Sequence, residues 1–102
     1  MIIGVPKEVK SDEYRVAVTP AGVEQLKRGG HRILIERGAG IGSGLADADY
    51  EAYGAELVSS AREVWERSEL ICKVKEPLME EVPLLQKGQV LFCYLHLAPL
   101  PD

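Results

Sequence analysis

Three residues of this sequence have side chains suited to binding and transforming a small organic acid: Arg15, Lys75 and His96. A planar guanidinium holds a carboxylate through two parallel hydrogen bonds. An ammonium group pairs with a carboxylate or polarises a carbonyl oxygen, and an imidazole, which titrates near neutral pH, can give or take a proton during turnover. If the three converge, they form a pocket for a small anionic acid with its own acid/base group.

Each of these residues also has a simpler interpretation. Arg15 follows the polar stretch 10–14, where a solvated surface arginine is common, and His96 could be satisfied by a backbone carbonyl. Strand alternation puts Lys73 and Lys75 on the same side of a sheet, and we expect Lys73 to reach solvent along its stem. His31 lies in a turn between a helix and the start of a strand, and we assign it no role. The residue types alone leave these alternatives open.

The glycine-rich stretch 38–44 invites comparison with a dinucleotide-binding loop, because glycines after a strand let the backbone approach a pyrophosphate. Its spacing is wrong for that motif, and no helix begins immediately after Gly44. Glu56 comes too early to be the acidic residue on the next strand, and Glu63 falls in a helix cap. We therefore predict a flexible loop that borders the site and does not bind cofactor.

Cys72 and Cys93 lie in apolar segments, without a second thiol or a histidine at metal-ligand spacing. We expect both to be buried, reduced thiols, and we predict no metal site.

The elements that must position the three residues follow from apolar runs and caps. Thr19 and Pro20 should open a helix that Gly29 and Gly30 close, Asp47 should cap a short helix, and Ser60 and Glu63 have the spacing of a capping box. Strands are predicted at 2–5, 32–36, 56–59, 70–74 and 90–95, with a further short helix at 80–86. Alternating strands and helices predict a doubly wound, mostly parallel α/β sheet with helices on both faces, Rossmann-like or flavodoxin-like.

In such sheets ligands bind beyond the carboxyl ends of the strands. Arg15, Lys75 and His96 follow the first, the penultimate and the last strand, so all three belong at that edge.

The composition of the 102 residues bounds the remaining possibilities. We expect one domain over 1–102. The net charge of -4, without a basic run, argues against nucleic acid, and no apolar stretch is long enough for a leader or a membrane span, which favours the cytoplasm. The sequence stops just after the last strand, without the helix that should cover it, so we expect an incomplete domain whose last strand exposes apolar surface.

Five stretches resemble the N-terminal region of the alanine dehydrogenase and pyridine nucleotide transhydrogenase family, over essentially the full length. They are 3–8 (IGVPKE), 15–20 (RVAVTP), 38–44 (GAGIGSG), 73–77 (KVKEP) and 95–98 (LHLA). Transhydrogenases of this family lack the lysine and the histidine that correspond to Lys75 and His96. Because this sequence has both residues, it resembles the alanine dehydrogenase branch of the family.

The resemblance implies the substrates, L-alanine and pyruvate, and the cofactor, NAD. It implies that Arg15 holds the substrate carboxylate, that Lys75 contacts the reacting end, and that His96 serves as the acid/base group. It also implies a separate Rossmann-type domain that binds NAD and supplies a catalytic aspartate, and a homo-oligomeric, hexameric enzyme. Residues 1–102 alone should therefore have no enzymatic activity.

Three alternatives remain. One is the nucleotide-binding component of a proton-translocating transhydrogenase, coupled to membrane partners. A second is a saccharopine dehydrogenase, which shares a related domain. The third is a non-catalytic module that binds small acids without a cofactor.

Overall fold

Five strands and three α-helices alternate along the chain in the computed structural model, which describes residues 1–8, 16–74 and 81–93. In chain order they are β1 (Ile2–Val5), α1 (Pro20–Arg28), β2 (Arg32–Glu36), α2 (Asp47–Ala52), β3 (Glu56–Val58), α3 (Ala61–Arg67), β4 (Leu70–Lys73) and β5 (Val90–Cys93). Short 3-10 turns cover Ile41–Ser43 and Val82–Leu84.

The strands form one sheet in the order β3-β2-β1-β4-β5, and every neighbouring pair is parallel. This confirms the predicted α/β class. Of the two predicted variants it is the Rossmann-like one, because the order matches five of the six strands of a Rossmann sheet and differs from the flavodoxin order. The chain builds outward from β1 to β3 and then returns to place β4 on the other side of β1. The topological switch point therefore lies between β1 and β4, where open α/β sheets bind ligands.

Two helix starts follow from capping side chains, as predicted. The Thr19 hydroxyl accepts a hydrogen bond from Gly22 N at 3.2 Å, and the Ser60 hydroxyl accepts one from Glu63 N, also at 3.2 Å. The reciprocal half of the capping box is not made, because the Glu63 carboxylate pairs with Arg67 at 2.8 Å.

The prediction that Asp47 caps α2 was wrong. Ala46 precedes the helix as its cap residue, and Asp47 is already helical. The Asp47 carboxylate instead accepts a hydrogen bond from Gly38 N at 2.8 Å. Asp49 takes over the cap, because its carboxylate accepts from Ala46 N at 3.1 Å.

The predicted helix at 80–86 is reduced to a 3-10 turn in the described residues. A single turn is closed by Leu84 N donating to Glu81 O at 2.9 Å. A second turn then reverses the chain at Gly88, whose φ of +80° suits glycine, so too few residues remain for an α-helix.

The core divides between the two faces of the sheet. On one face α1 and α2 cover the centre, with Val23 and Tyr50 packed against side chains of β1 and β2. On the other face α3 packs Val64 and Trp65 against Ile71 of β4. Helices thus cover both faces, as predicted for a doubly wound sheet.

The β4–β5 side of the sheet is less well covered than its centre. Val90 and Phe92 of β5 are each 51% exposed, in agreement with the expected apolar surface on the last strand. Cys72, which pairs with Phe92 in register, and Cys93 are only partly buried, so the predicted full burial of the thiols was wrong. For Cys72 the reason is that, among the described residues, α1 packs on β2 and α2 on β3, on the far side of β1 from β4 and β5.

Candidate functional site

The carboxyl ends of β1, β4 and β5 lie side by side at one edge of the sheet. Arg15, Lys75 and His96 follow these three strands in the sequence, but all three lie outside the described residues. The structure therefore brings together the strand ends from which the segments depart. Their side-chain positions stay predictions.

A buried ionic cluster occupies this edge, and it was not anticipated from the sequence. The Lys73 ammonium at the end of β4 lies 3.0 Å from Glu8 Oε1 and 3.3 Å from Glu81 Oε2. The three side chains are 1%, 2% and 5% exposed, respectively. The second oxygen of Glu8 accepts a hydrogen bond from Val74 N at 2.9 Å. We call these three residues the buried clamp.

The expectation that Lys73 reaches solvent was wrong. Lys73 pairs in register with Cys93 and lies on the face of the sheet that also carries Ile71, so its stem runs among buried groups. A buried ammonium is costly without a paired charge, and Glu8 supplies one from 65 residues away. A lysine inside an otherwise apolar strand was the available signal, because it requires a buried acidic partner.

Glu36 adds a third carboxylate beside the clamp. It ends β2, and one of its oxygens accepts a hydrogen bond from Lys7 N at 2.8 Å. Burial raises the pKa of Glu36 above its usual value, while the bond from Lys7 opposes the rise and the Glu81 carboxylate adds to it. The charges of Lys7 and Lys73 also lower the Glu36 pKa, so both signs of charge act on this carboxylate.

The segment that follows Arg15 is anchored to α2 by a buried tyrosine. The Tyr50 side chain is fully buried, and its hydroxyl donates a hydrogen bond to Val18 O at 2.7 Å. Burial, with a smaller contribution from the Asp47 carboxylate, raises the pKa of Tyr50 to about 12. Val18, which lies between Arg15 and the start of α1, is therefore held in the core by this hydrogen bond.

The glycine-rich stretch after β2 forms a turn that is held together mainly by its own backbone hydrogen bonds. Six of the eight backbone amides of residues 38–45 donate hydrogen bonds: four to carbonyls of the turn, one to Glu36 O at the end of β2 and one to the Asp47 carboxylate. A Cβ on Gly40 would come within 2.7 Å of Tyr50 Cε2 and 2.9 Å of Leu45 Cβ, so this glycine serves close packing. The turn does not present a cradle of open amides, and it does not fit the pyrophosphate of a dinucleotide.

Two kinds of feature are absent from the part of the chain that the structure describes. It contains no helix that is both long and apolar enough to cross a bilayer. Nor do three or more His, Cys, Asp or Glu side chains gather there in an arrangement that could hold a metal ion.

Comparison with known proteins gives one family match and many close relatives. The family model described as "Alanine dehydrogenase/PNT, N-terminal domain" matches residues 4–102. Alanine dehydrogenase of Methanococcus maripaludis is 56% identical over 102 residues, which are 100% of this chain and 27% of that protein. The Bacillus subtilis alanine dehydrogenase gives the same identity and coverage. The chain thus spans about a quarter of the length of these relatives.

Solved structures agree with the sequence comparison. An L-alanine dehydrogenase superposes with a TM-score of 0.90 at 52% identity, over 99% of this chain and 28% of the other. A transhydrogenase from Sinorhizobium meliloti superposes with a TM-score of 0.85 at 31% identity, over 91% of this chain and 27% of the other. The sheet order and its flanking helices are therefore those of both kinds of protein.

Proposed function

Since this chain belongs to the alanine dehydrogenase/PNT N-terminal domain family, we propose that it is the substrate-binding part of an NAD-dependent alanine dehydrogenase. The reaction takes L-alanine, NAD⁺ and water to pyruvate, ammonium, NADH and a proton. The observation that carries the proposal is the identity of about half or more to proteins named alanine dehydrogenase across the whole chain. Resemblance to the transhydrogenase is weaker in sequence.

Strand order supports the proposed positions of the substrate groups. Arg15, Lys75 and His96 follow β1, β4 and β5, which are adjacent strands, and β1 and β4 flank the switch point. In the proposal, Arg15 holds the carboxylate shared by alanine and pyruvate, and Lys75 contacts the amino or keto group at the next carbon. His96 takes up or releases the proton at that carbon's substituent, for which an imidazole is suited near neutral pH.

In this proposal the cofactor binds outside the glycine turn, because six of the eight backbone amides of the turn already donate to protein acceptors. We propose that NAD binds to a separate Rossmann-type domain, and that residues 1–102 form one domain that is inactive without it. We further propose that the whole enzyme is a cytoplasmic homohexamer.

The test is steady-state kinetics of the full-length protein, in which NADH formation from L-alanine and NADH consumption with pyruvate and ammonium are followed. His96→Ala should lower kcat by about 10²- to 10⁴-fold, the usual contribution of a positioned acid/base group. Arg15→Ala should raise the KM for pyruvate. Normal kinetics in the His96 variant would overturn the assigned roles.

Two matched controls use residues away from the carboxyl edge. His31 hydrogen-bonds to the N-terminal amine at 3.0 Å at the amino ends of the strands, and Arg28 on α1 is largely exposed beside Glu24. His31→Ala and Arg28→Ala should leave both kcat and KM unchanged.

The transhydrogenase of similar fold makes a second candidate function, the nucleotide-binding component of a proton-translocating transhydrogenase. That function predicts hydride exchange between two nicotinamide nucleotides with no dependence on alanine. If the wild-type protein shows such exchange and no alanine-dependent NADH formation, the second candidate replaces the first. A protein that binds pyruvate without either activity would be a small-acid-binding module.

A further inference from the structure

The buried clamp joins three places in the chain that are far apart in sequence. Glu8 lies three residues after the end of β1, Lys73 is the last residue of β4, and Glu81 precedes the turn at Val82–Leu84. Its members therefore stand at the borders of two segments, 9–15 and 75–80. These segments contain Arg15 and Lys75, the two proposed contacts of the substrate acid.

The segment that carries Lys75 is bordered at both ends by members of the clamp. On its entry side, Lys73 is part of β4, and Val74 N donates to the carboxylate of Glu8. On its exit side, Glu81 lies 3.3 Å from the same Lys73 Nζ. The two ends of this segment are thus linked through Lys73, whose backbone lies on the entry side and whose ammonium pairs with Glu81 on the exit side.

The segment that carries Arg15 shares that anchor at its start. Glu8 contributes both carboxylate oxygens, one to Lys73 Nζ at 3.0 Å and one to Val74 N at 2.9 Å. The loop after β1 is thereby tied to the end of β4 across the switch point. A displacement of Glu8 would move the starts of both segments relative to each other.

We propose that Glu8, Lys73 and Glu81 are positioning residues that set the spacing between the two cation-bearing segments of the acid-binding pocket. The inference rests on the proposed function, because it takes Arg15 and Lys75 as substrate contacts. None of the three is proposed to touch the substrate.

The energetics favour a positioning role over a stabilising one. Removing charges from water costs several kcal/mol per ion, and buried ion pairs are often matched in stability by apolar side chains of similar size. What such a cluster provides is direction, since Lys73 Nζ donates to Glu8 Oε1 at 3.0 Å and forms an ion pair with Glu81 at 3.3 Å, which relates both carboxylates to one nitrogen. Misplacing a binding group by about 1 Å can cost about 100-fold in catalytic efficiency.

The test uses the full-length protein with Lys73→Met, which keeps the stem and removes the ammonium. Arg62→Met, on the exposed side of α3, is the matched control. We expect Lys73→Met to raise the KM for pyruvate about tenfold or more while the KM for NADH stays within about twofold of wild type. A purely structural role would lower the fraction of active enzyme, and with it the apparent kcat, and would leave both KM values unchanged. A folded Lys73→Met variant with a wild-type KM for pyruvate would overturn the proposal.

A second variant guards against misfolding, because Lys73→Met leaves two buried carboxylates without their ammonium. The triple variant Glu8→Gln, Lys73→Met, Glu81→Gln removes every charge of the clamp and keeps the side-chain volumes. The Glu8→Gln amide oxygen can still accept from Val74 N. We expect the triple variant to fold and to retain a raised KM for pyruvate. If it folds and binds pyruvate as the wild type does, the clamp does not position the pocket.

Hydrogen exchange on the wild-type protein tests the proposal without a variant and without an activity assay. The Val74 amide should be protected from hydrogen exchange in the ligand-free full-length protein, because a preorganised pocket has the clamp closed before substrate arrives. Exchange at the rate of an open amide would overturn the inference. Failure of the proposed function is recognised separately, as a wild-type protein with no alanine-dependent NADH formation.

Discussion

Replacing Tyr50 with Phe removes one buried hydroxyl and leaves the carbonyl of Val18 without its partner. The ring of Tyr50 is fully buried between α2 and the segment that follows Arg15, and its hydroxyl lies 2.7 Å from that carbonyl oxygen. Because the ring itself is kept, packing changes little and the change isolates the hydrogen bond.

The magnitude follows from the burial of the pair. A buried acceptor that loses its donor costs about 1–3 kcal/mol, well above the average contribution of an exposed hydrogen bond. At a urea m-value of about 1–1.5 kcal/mol/M, a loss of about 2 kcal/mol lowers the unfolding midpoint by about 1–2 M. Trp65, the single tryptophan of the chain, is fully buried and reports the transition by fluorescence.

Tyr53 supplies the control on the same helix turn, because it is 46% exposed. Tyr53→Phe should shift the midpoint by less than the equivalent of about 0.5 kcal/mol. Equal midpoints for Tyr50→Phe and Tyr53→Phe would refute the assignment of the buried hydrogen bond.

An alkaline titration gives an independent check. The pKa of Tyr50 is raised from 10.0 to about 12 by burial, so the unfolded chain releases this proton at lower pH than the folded chain does. The stability associated with the neutral hydroxyl is present below pH 10 and is lost as the pH rises toward 12, by roughly 2–3 kcal/mol for two pKa units. Tyr50→Phe has no such proton, so its deficit should shrink over this interval. A constant deficit would contradict the raised pKa.

Three other substitutions have definite expected outcomes. Gly40→Ala should cost about 1–3 kcal/mol by urea denaturation, because its Cβ would overlap a neighbouring ring and side chain; an unchanged midpoint would show that the turn yields. Ser60→Ala should cost about 1 kcal/mol, because Glu63 N loses its acceptor, and a change below about 0.3 kcal/mol would argue against the cap. Arg32 donates two hydrogen bonds of 2.9 Å to Glu56 and holds the pKa of that carboxyl below its usual value. The pair therefore stabilises the fold above pH 4.5, and this stabilisation is lost as the pH falls through the lowered pKa. Arg32→Met should raise the Glu56 pKa in an NMR titration; an unaltered pKa would contradict the pairing.

Much of the fold could be predicted from local patterns. The runs at 2–5 and 32–36 form strands with the predicted bounds, and Thr19 caps α1 as its spacing indicated. These features depend on residues within a few positions of one another. The strand order could not be predicted, since the return of β4 to the far side of β1 depends on packing across the whole sheet. Asp47 was misassigned for a similar reason, because its partner, Gly38 N, lies nine residues earlier in another turn.

The candidate site divides in the same way. The sequence indicated that Arg15, Lys75 and His96 follow three strands, and the sheet order makes those strands neighbours. It did not indicate the buried clamp, because Lys73 meets a carboxylate 65 residues away and pattern rules treat lysine as a surface residue. In such sequences, a charged residue inside an apolar strand indicates a buried partner of opposite charge.

We propose that the carboxyl ends of β1, β4 and β5 build the acid-binding half of an alanine dehydrogenase site. A crystal structure of the full-length protein with pyruvate bound tests it most directly. We expect the pyruvate carboxylate to lie between these strand ends against Arg15, with Lys75 and His96 at the keto group. Pyruvate bound at another edge of the sheet, or without contact to these three residues, would contradict it.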